Sequence, residues 1–594
     1  MDKLLETARE HLSDTALENV ADWLEKPKYA EYRDELVQMI EGEKWQAIED
    51  AFFKVIEFGT AGRRGTTGVG SNRINRVTVG ESAEALCQYM KQIDKSSLEK
   101  GIVIAYDTRL SSDKLSRHVA SVCVANGFKT YRFESFRSTP ELSFAVRHLG
   151  CAAGIVITAS HNPPSDNGFK AYWSDGCQLV APHDKGVLDM ASKLQEIHVV
   201  DYEKALQQGT IEEIGAEVDE AYIDVATAEA VGTTRNISII YSPLHGAGQR
   251  NTLPVLRAAG FADVRPVEEQ MVPDGNFPTI PDGRPNPENI PANQMTADKM
   301  LDEKADIAIT NDPDADRIGV MARHHEAVVY FNGNQASALA AEYILKTMQA
   351  QGSLTPEHYV AKTIVTTDLH DAIAEYYGVK CYGNLLVGFK YIGELIRNKE
   401  NSGEKFVMGS EESFGMLKGD YARDKDGATG ALPLAEYAAE LKEQGKTLWD
   451  AMLDLYRKYG LYVESLENIM FPGAKGFADM KQIMQSLRDE PPREIAGHTV
   501  TALLDYNSLE RKDVVGNTST SIDCASGDVI VLEFNGDKRR RITIRPSGTE
   551  PKIKIYAQWY EEAGEDVATQ YELAQQKLKQ LTGAFDALTK GESA

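Results

Sequence analysis

Four short stretches carry side chains whose types and spacing suit the movement of a phosphoryl group. The first is Thr158-Ala-Ser160-His161-Asn-Pro-Pro, with Lys170 ten residues after Ser160 in Asp-Asn-Gly-Phe-Lys. A hydroxyl held near an ammonium can accept and return a phosphoryl group while the ammonium balances charge or moves a proton. His161 is a further candidate, although a neighbour in sequence need not point at the Ser160 hydroxyl as a base would. The second stretch is Thr-Asn-Asp312-Pro-Asp314-Ala-Asp316-Arg317. In an extended loop, residues two apart project to the same side, so three carboxylates can converge on one hard cation. Mg²⁺ accepts carboxylates together with a phosphate oxygen, and without a cation three carboxylates this close repel one another. A calcium-binding EF-hand loop needs Gly at its sixth position and a carboxylate at its twelfth. Arg317 and Arg323 stand there, which rejects that reading.

The third stretch is Met408-Gly-Ser-Glu411-Glu-Ser413-Phe-Gly. Glu and Ser side chains on a Gly-flanked loop can grip sugar hydroxyls, although such stretches are also common as plain solvated loops. The fourth is Arg545-Pro-Ser547-Gly548-Thr549, after an Arg539-Arg-Arg541 run. An Arg, two hydroxyls and a Gly-permitted turn of backbone N–H groups make a phosphate cradle. A basic hairpin edge that deters sheet aggregation accounts for the arginine run but not for Ser-Gly-Thr. Phe58-Gly-Thr-Ala-Gly-Arg63-Arg64-Gly supplies paired arginines, one of which could stand near Ser160.

Strands and turns must position these groups. The apolar run 154–157 reads as a buried strand that Pro163 and Pro164 bring to an end, which places Ser160 on an exposed loop. Strand–loop–helix–strand units begin at Gly101, Asn236 and Tyr359. Asn126-Gly, Gly260 and Gly378 stand where their helices end, as a left-handed C-terminal residue requires. Three such units, well separated, predict three related α/β domains with mixed or mostly parallel sheets. The tail differs. Gly527-Asp-Val-Ile-Val-Leu-Glu-Phe, the turn Asn535-Gly-Asp and 539–544 read as a hairpin. A strand at 552–556 and a helix over 563–589 complete a smaller α+β domain. Residues 1–50 read as a helical extension that packs or makes an oligomer contact. The expected boundaries fall near 232, 333 and 464.

Composition narrows the partners. With 90 acidic against 64 basic residues the 594-residue chain carries a net charge of −26, which argues against nucleic acid or an anionic membrane. No apolar run is long enough to span a bilayer. The opening residues hold no secretory apolar core, and six scattered cysteines form no Cys-x-x-Cys pair. The cytoplasm is the expected compartment.

Together the four stretches, in this order, resemble the motifs of the α-D-phosphohexomutase superfamily, the phosphoglucomutase/phosphomannomutase enzymes. The match runs over nearly the whole chain from about residue 50. The resemblance implies four domains around a central cleft, one loop from each. It implies Ser160 as a phosphoserine that also completes the metal set of Asp312, Asp314 and Asp316. It further implies Arg64 and Lys170 in the active site, Arg317 beside the metal, and Arg545, Ser547, Gly548 and Thr549 on the substrate phosphate. Gly388-Phe-Lys390-Tyr-Ile-Gly393 resembles the segment that selects the sugar, with Glu411 and Ser413 on the ring hydroxyls. These last two segments lean toward the phosphoglucomutase branch and its phosphopentomutase-like members.

The implied activity interconverts sugar 1-phosphate and 6-phosphate, glucose foremost, with Mg²⁺ and glucose 1,6-bisphosphate or the matching bisphosphate. Lys170 is the candidate acid/base, its pKa lowered by Arg64, Arg317 and the metal. The expected assembly is a monomer or homodimer. Alternatives on the same parts are phosphomannomutase, phosphopentomutase and bisphosphate synthase. A metal-dependent sugar phosphatase would leave Ser160, Glu411 and Arg545 without roles, and intact Ser160 and aspartates argue against a sugar-phosphate-binding regulator.

Overall fold

The structure, a computed structural model, describes residues 2–57, 62–471, 475–516, 518–547 and 552–590. The chain divides into two compact units. The first comprises Met1–Tyr330, Gly393–Asn398 and Gly415–Glu436, the second Phe331–Ile392, Lys399–Phe414 and Tyr437–Ala594.

The first unit opens with the helical extension: Asp2–Arg9, Asp14–Glu25, Arg33–Glu41 and Trp45–Phe52. Ser13 caps the second helix by accepting from the Ala16 N–H. The helices bury a core of their own around Trp23, Leu36, Ile48 and Phe52, against Val69 and Val77. A six-stranded sheet follows, in the order Gly62–Thr66, Asp166–Trp173, Ala153–Ile157, Ile102–Tyr106, Thr130–Phe133, Ile211–Ile214. The last four strands are parallel and the first two antiparallel. Ile102–Tyr106 and Ala153–Ile157 are buried at every position, as central strands covered on both faces should be.

A five-stranded sheet comes next: Ala327–Phe331, Ile318–His324, Ile307–Asn311, Ser238–Ser242, Asp263–Pro266. Its last three strands are parallel, and Ile318–His324 runs back antiparallel to Ile307–Asn311. In both sheets the functional stretch lies just past the carboxyl end of a parallel strand, where open α/β sheets bind ligands.

In the second unit His358–Thr363 pairs in parallel with Lys380–Leu385 and Lys405–Glu411. Helix Leu369–Tyr377 ends on Gly378 in the left-handed region. An antiparallel sheet forms the C-terminal part, with Leu461–Met470, Lys552–Glu561, Asp537–Pro546, Ile530–Phe534 and His498–Asp505 side by side. The hairpin turns at Asn535 and Gly536, both with positive φ, as the Asn-Gly pair predicts. Helix Val567–Thr589 closes the chain. Three α/β sheets followed by an antiparallel one is the fold class that the sequence leads one to expect.

Candidate active site

Ser160 is not exposed, contrary to the expectation from its loop: it is 2% accessible. Its backbone sits at φ 51°, a left-handed conformation that a non-glycine residue holds only when its surroundings enforce it. Two buried residues on the neighbouring parallel strand's loop do so. Thr158 Oγ1 accepts the Ser160 N–H at 2.8 Å and donates to Asp107 Oδ2 at 2.6 Å. Arg109 donates to the carbonyls of Ser160 and Asn162 at 2.5 Å each, Pro163 at 2.7 Å and Asp166 at 3.0 Å. Its Nε lies 3.2 Å from Asp107. One guanidinium thus grips four carbonyls of the loop. On the loop's other side, Gly168 lets the strands close: a Cβ there would meet Thr158 O at 2.6 Å and Arg63 O at 2.8 Å.

The Asp312, Asp314 and Asp316 carboxylates bring oxygens within 4.8 Å of one another, all three buried. The segment is a turn rather than the extended loop expected, with Ala315 at φ 55°. Ser160 Oγ donates to Asp312 Oδ2 at 2.6 Å, so hydroxyl and triplet share one site. Thr139 binds Asp314 twice, N–H to the carbonyl at 2.9 Å and Oγ1 to Oδ2 at 2.8 Å. Burial, then repulsion from Asp314 and Asp316, pushes the Asp312 carboxyl well above the usual carboxylate range. At Asp314 burial again opposes the charge, yet Lys170 beside it holds that carboxyl well below. Asp314 Oδ1 and Asp316 Oδ1 are buried without a hydrogen-bond partner. Converging oxygen donors with two orphaned oxygens fit a hard divalent cation.

Lys170 Nζ donates to Asp314 Oδ2 at 2.8 Å and lies 3.6 Å from Asp316 Oδ2. Its near neighbours are thus carboxylates of the triplet. His161 does reach the hydroxyl, with Nδ1 3.1 Å from Ser160 Oγ. Burial, then Arg317 and Arg64, pushes its imidazole well below the usual value, so it is neutral. The paired arginines part company because successive strand residues face opposite ways. Arg63 turns inward to Thr78 O and Glu81, and exposed Arg64 reaches Asn162 Oδ1 at 3.4 Å. Arg317 donates its N–H to Asp312 Oδ1 at 3.0 Å and pairs with Glu288 at 3.0 Å.

The sequence reading missed Lys425, whose Nζ lies 3.2 Å from Asp316 Oδ2 and 3.0 Å from Asp424 Oδ1. It also missed Asp107, Arg109 and Thr139. Asp107-Thr-Arg109 was findable, because it leaves its strand just where Thr158-Ala-Ser160 leaves the next.

In the second unit, Met408 to Glu411 belong to the strand Lys405–Glu411, so only 412–414 form the loop. Glu411 is buried, and its Oε1 accepts the Gly388 N–H at 3.0 Å. That bond joins the Glu-Glu-Ser stretch to the segment carrying Lys390, whose Nζ lies 5.0 Å from the Tyr391 ring centroid. Ser413 and Arg545 are half-buried. The Ser547 N–H donates to Lys552 O at 2.8 Å. Gly548 and Thr549 lie outside the described residues.

Comparison with known proteins gives a consistent answer. Residues 55–198, 220–325 and 332–459 match, in turn, the alpha/beta/alpha domains I, II and III of the phosphoglucomutase/phosphomannomutase family. A phosphoglucomutase of Staphylococcus epidermidis is 34% identical over 506 residues, which cover 84% of this chain and 90% of that protein. The phosphoglucomutase of Staphylococcus haemolyticus is 33% identical over 541 residues, 89% and 95% of the two chains. Among solved structures, parafusin from Paramecium, in an open form, is similar with a TM-score of 0.63 at 17% identity, covering 90% of this chain and 98% of that one. A family protein from Burkholderia thailandensis matches with a TM-score of 0.63 at 16% identity, covering 91% and 99%. These two likenesses speak to the fold.

Proposed function

Since the chain belongs to the phosphoglucomutase/phosphomannomutase family and is a mutase of that type, we propose that it interconverts glucose 1-phosphate and glucose 6-phosphate through a phosphoserine at Ser160. The observation that carries this is the 2.6 Å hydrogen bond from Ser160 Oγ to Asp312, inside a buried carboxylate triplet that also holds Lys170. The name shared by the relatives at 33–34% identity supports glucose as the sugar.

In this reading the P–Oγ bond of phosphoserine breaks as a bond forms from phosphorus to the free hydroxyl oxygen of the sugar monophosphate. The hydroxyl's proton passes to Ser160 Oγ, with Lys170 as the group that relays it. The resulting bisphosphate, glucose 1,6-bisphosphate, turns over and gives its other phosphoryl group back to Ser160, so the same molecule serves as activator. Asp312, Asp314 and Asp316, with the phosphoserine, would hold Mg²⁺. Bound there, the cation supplies neutralisation of the charge on the transferring group. Arg64 and Arg317 add positive charge on the same side, and neutral His161 orients the hydroxyl. Glu411, Ser413 and Lys390 take the sugar hydroxyls, and Arg545, Ser547, Gly548 and Thr549 the non-reacting phosphate.

We take the chain as a helical extension to about residue 50 followed by four domains divided near 232, 333 and 464, each contributing one of these loops. A monomer or a homodimer serves equally. The cytoplasm is the compartment assigned, supported by six cysteines of which none is in a disulfide. No helix among the described residues is long and apolar enough to cross a membrane.

Turnover on glucose, mannose, ribose and N-acetylglucosamine 1-phosphates, with and without glucose 1,6-bisphosphate, tests the reading. Preference for glucose 1-phosphate and dependence on the bisphosphate are expected. Release of inorganic phosphate without isomerisation would refute it.

A further inference from the structure

Behind the carboxylate triplet runs a buried polar chain that the reading above leaves unused. Asp426 is fully buried and precedes helix Gly427–Glu443. Its Oδ1 accepts the Ala428 N–H at 2.8 Å and Asn251 Nδ2 at 3.4 Å. Its Oδ2 accepts the hydroxyls of Tyr222, at 2.7 Å, and of Tyr421. Asn251 Nδ2 also donates to Tyr222 Oη and, at 3.1 Å, to Ser138 Oγ. Ser138, Tyr222 and Asn251 are themselves fully buried. Buried polar groups satisfied this fully hold a single arrangement.

Both ends of the chain reach the triplet. Ser138 is followed by Thr139, which binds Asp314 through backbone and side chain. Asp426 is preceded by Lys425, on Asp316 at 3.2 Å, and followed by Gly427, whose N–H donates to Ala315 O at 3.0 Å. A Cβ on Gly427 would stand 2.2 Å from Asn311 Nδ2 and 2.8 Å from Ala315 O, so the segment presses its bare backbone onto the turn.

We propose that Asp426 is a positioning residue for the cation site. Through Lys425 and Gly427 it fixes Asp316 and the turn at Ala315, and through Asn251 and Ser138 it fixes Asp314. The inference rests on the reading that the triplet holds a divalent cation. Groups that orient metal ligands from behind typically set affinity by about ten- to a hundred-fold.

The test uses the full chain and Mn²⁺ alone as probe, with free Mn²⁺ followed by EPR and phosphorylation state matched by intact mass. Asp426→Asn should raise the Mn²⁺ Kd about ten-fold or more, and Tyr222→Phe severalfold, with cooperative unfolding retained. Glu436→Gln is the structural control. It removes a buried carboxylate that accepts the Val231 and Gly232 N–H groups, about 14 Å further along the same helix. It should lower Tm and leave the Mn²⁺ Kd within about twofold. An Asp426→Asn protein with an Mn²⁺ Kd within about twofold of wild type overturns the proposal. If that variant does not fold, an unchanged Kd in Tyr222→Phe overturns it instead. A wild-type chain that binds no Mn²⁺ overturns the cation reading itself, and the proposal with it.

Discussion

Removing the Arg109 guanidinium should disable Ser160 without touching it. Arg109 donates to four carbonyls of the 160–166 loop at 2.5–3.0 Å and pairs with buried Asp107. The loop in turn holds Ser160 at φ 51°. That conformation costs of order 1–3 kcal/mol for a non-glycine residue. Released from the clamp, the chain should relax toward negative φ and draw the hydroxyl away from Asp312. A preference of 1–3 kcal/mol lowers the productive population about 5- to 150-fold, and kcat of Arg109→Ala should fall by that factor. KM for the sugar phosphate should change little, because Arg109 faces the loop and not the substrate. Stability should fall as well, by about 3–5 kcal/mol, since Asp107 loses its buried partner. Steady-state kinetics on the folded fraction separate the two effects, and added guanidinium ion should restore part of kcat. A kcat within about threefold of wild type, or a full loss traceable to unfolding with no guanidinium rescue, would rule out Arg109 as the clamp on Ser160.

Three further outcomes follow from the same geometry. Burial, with Arg76 beside it, holds the His118 imidazole down to about 4. The unfolded chain therefore binds the extra proton between about pH 6.5 and 4, and stability, intact above that window, drops as pH falls through it. The loss is about 2 kcal/mol from pH 7 to 5, and denaturant titrations should show His118→Gln abolishing that share. Trp23→Ala should destabilise the helical extension by about 3–5 kcal/mol, since the ring is buried and stacked on Tyr29 at 4.3 Å; a loss under about 1 kcal/mol by chemical denaturation would speak against that core. Glu411→Ala removes the acceptor of the Gly388 N–H and should lower kcat/KM roughly tenfold or more, with Glu411→Gln milder; identical kinetics in both variants would contradict the sugar-loop assignment.

The chemistry was legible where residue type alone restricts it. Three aspartates at alternate positions, and a serine closed off by two prolines, announce themselves whatever the fold. The α/β units were legible because their apolar runs and terminal glycines are local signals. What local signals cannot carry is who packs on whom. Ser160 reads as exposed because its cover, Asp312, comes from a different sheet. Lys170 reads as a lysine among arginines, yet folding sets it on Asp314 and Asp316. Lys425 has no motif of its own, and only the contact with Asp316 gives it meaning. Asp107 and Arg109 form the intermediate case. Their strand was recognised, and the parallel register with the Ser160 strand would have drawn attention to them.

In the proposed reaction one hydroxyl, that of Ser160, lends and reclaims the phosphoryl group. The most direct measurement is peptide-mapped intact mass of the enzyme after incubation with glucose 1,6-bisphosphate and Mg²⁺, for wild type and Ser160→Ala. A single phosphoryl group is expected on the Ser160 peptide of the wild type, none on the variant, and no mutase turnover by the variant. Phosphorylation mapping to another residue, or turnover surviving in Ser160→Ala, would contradict it.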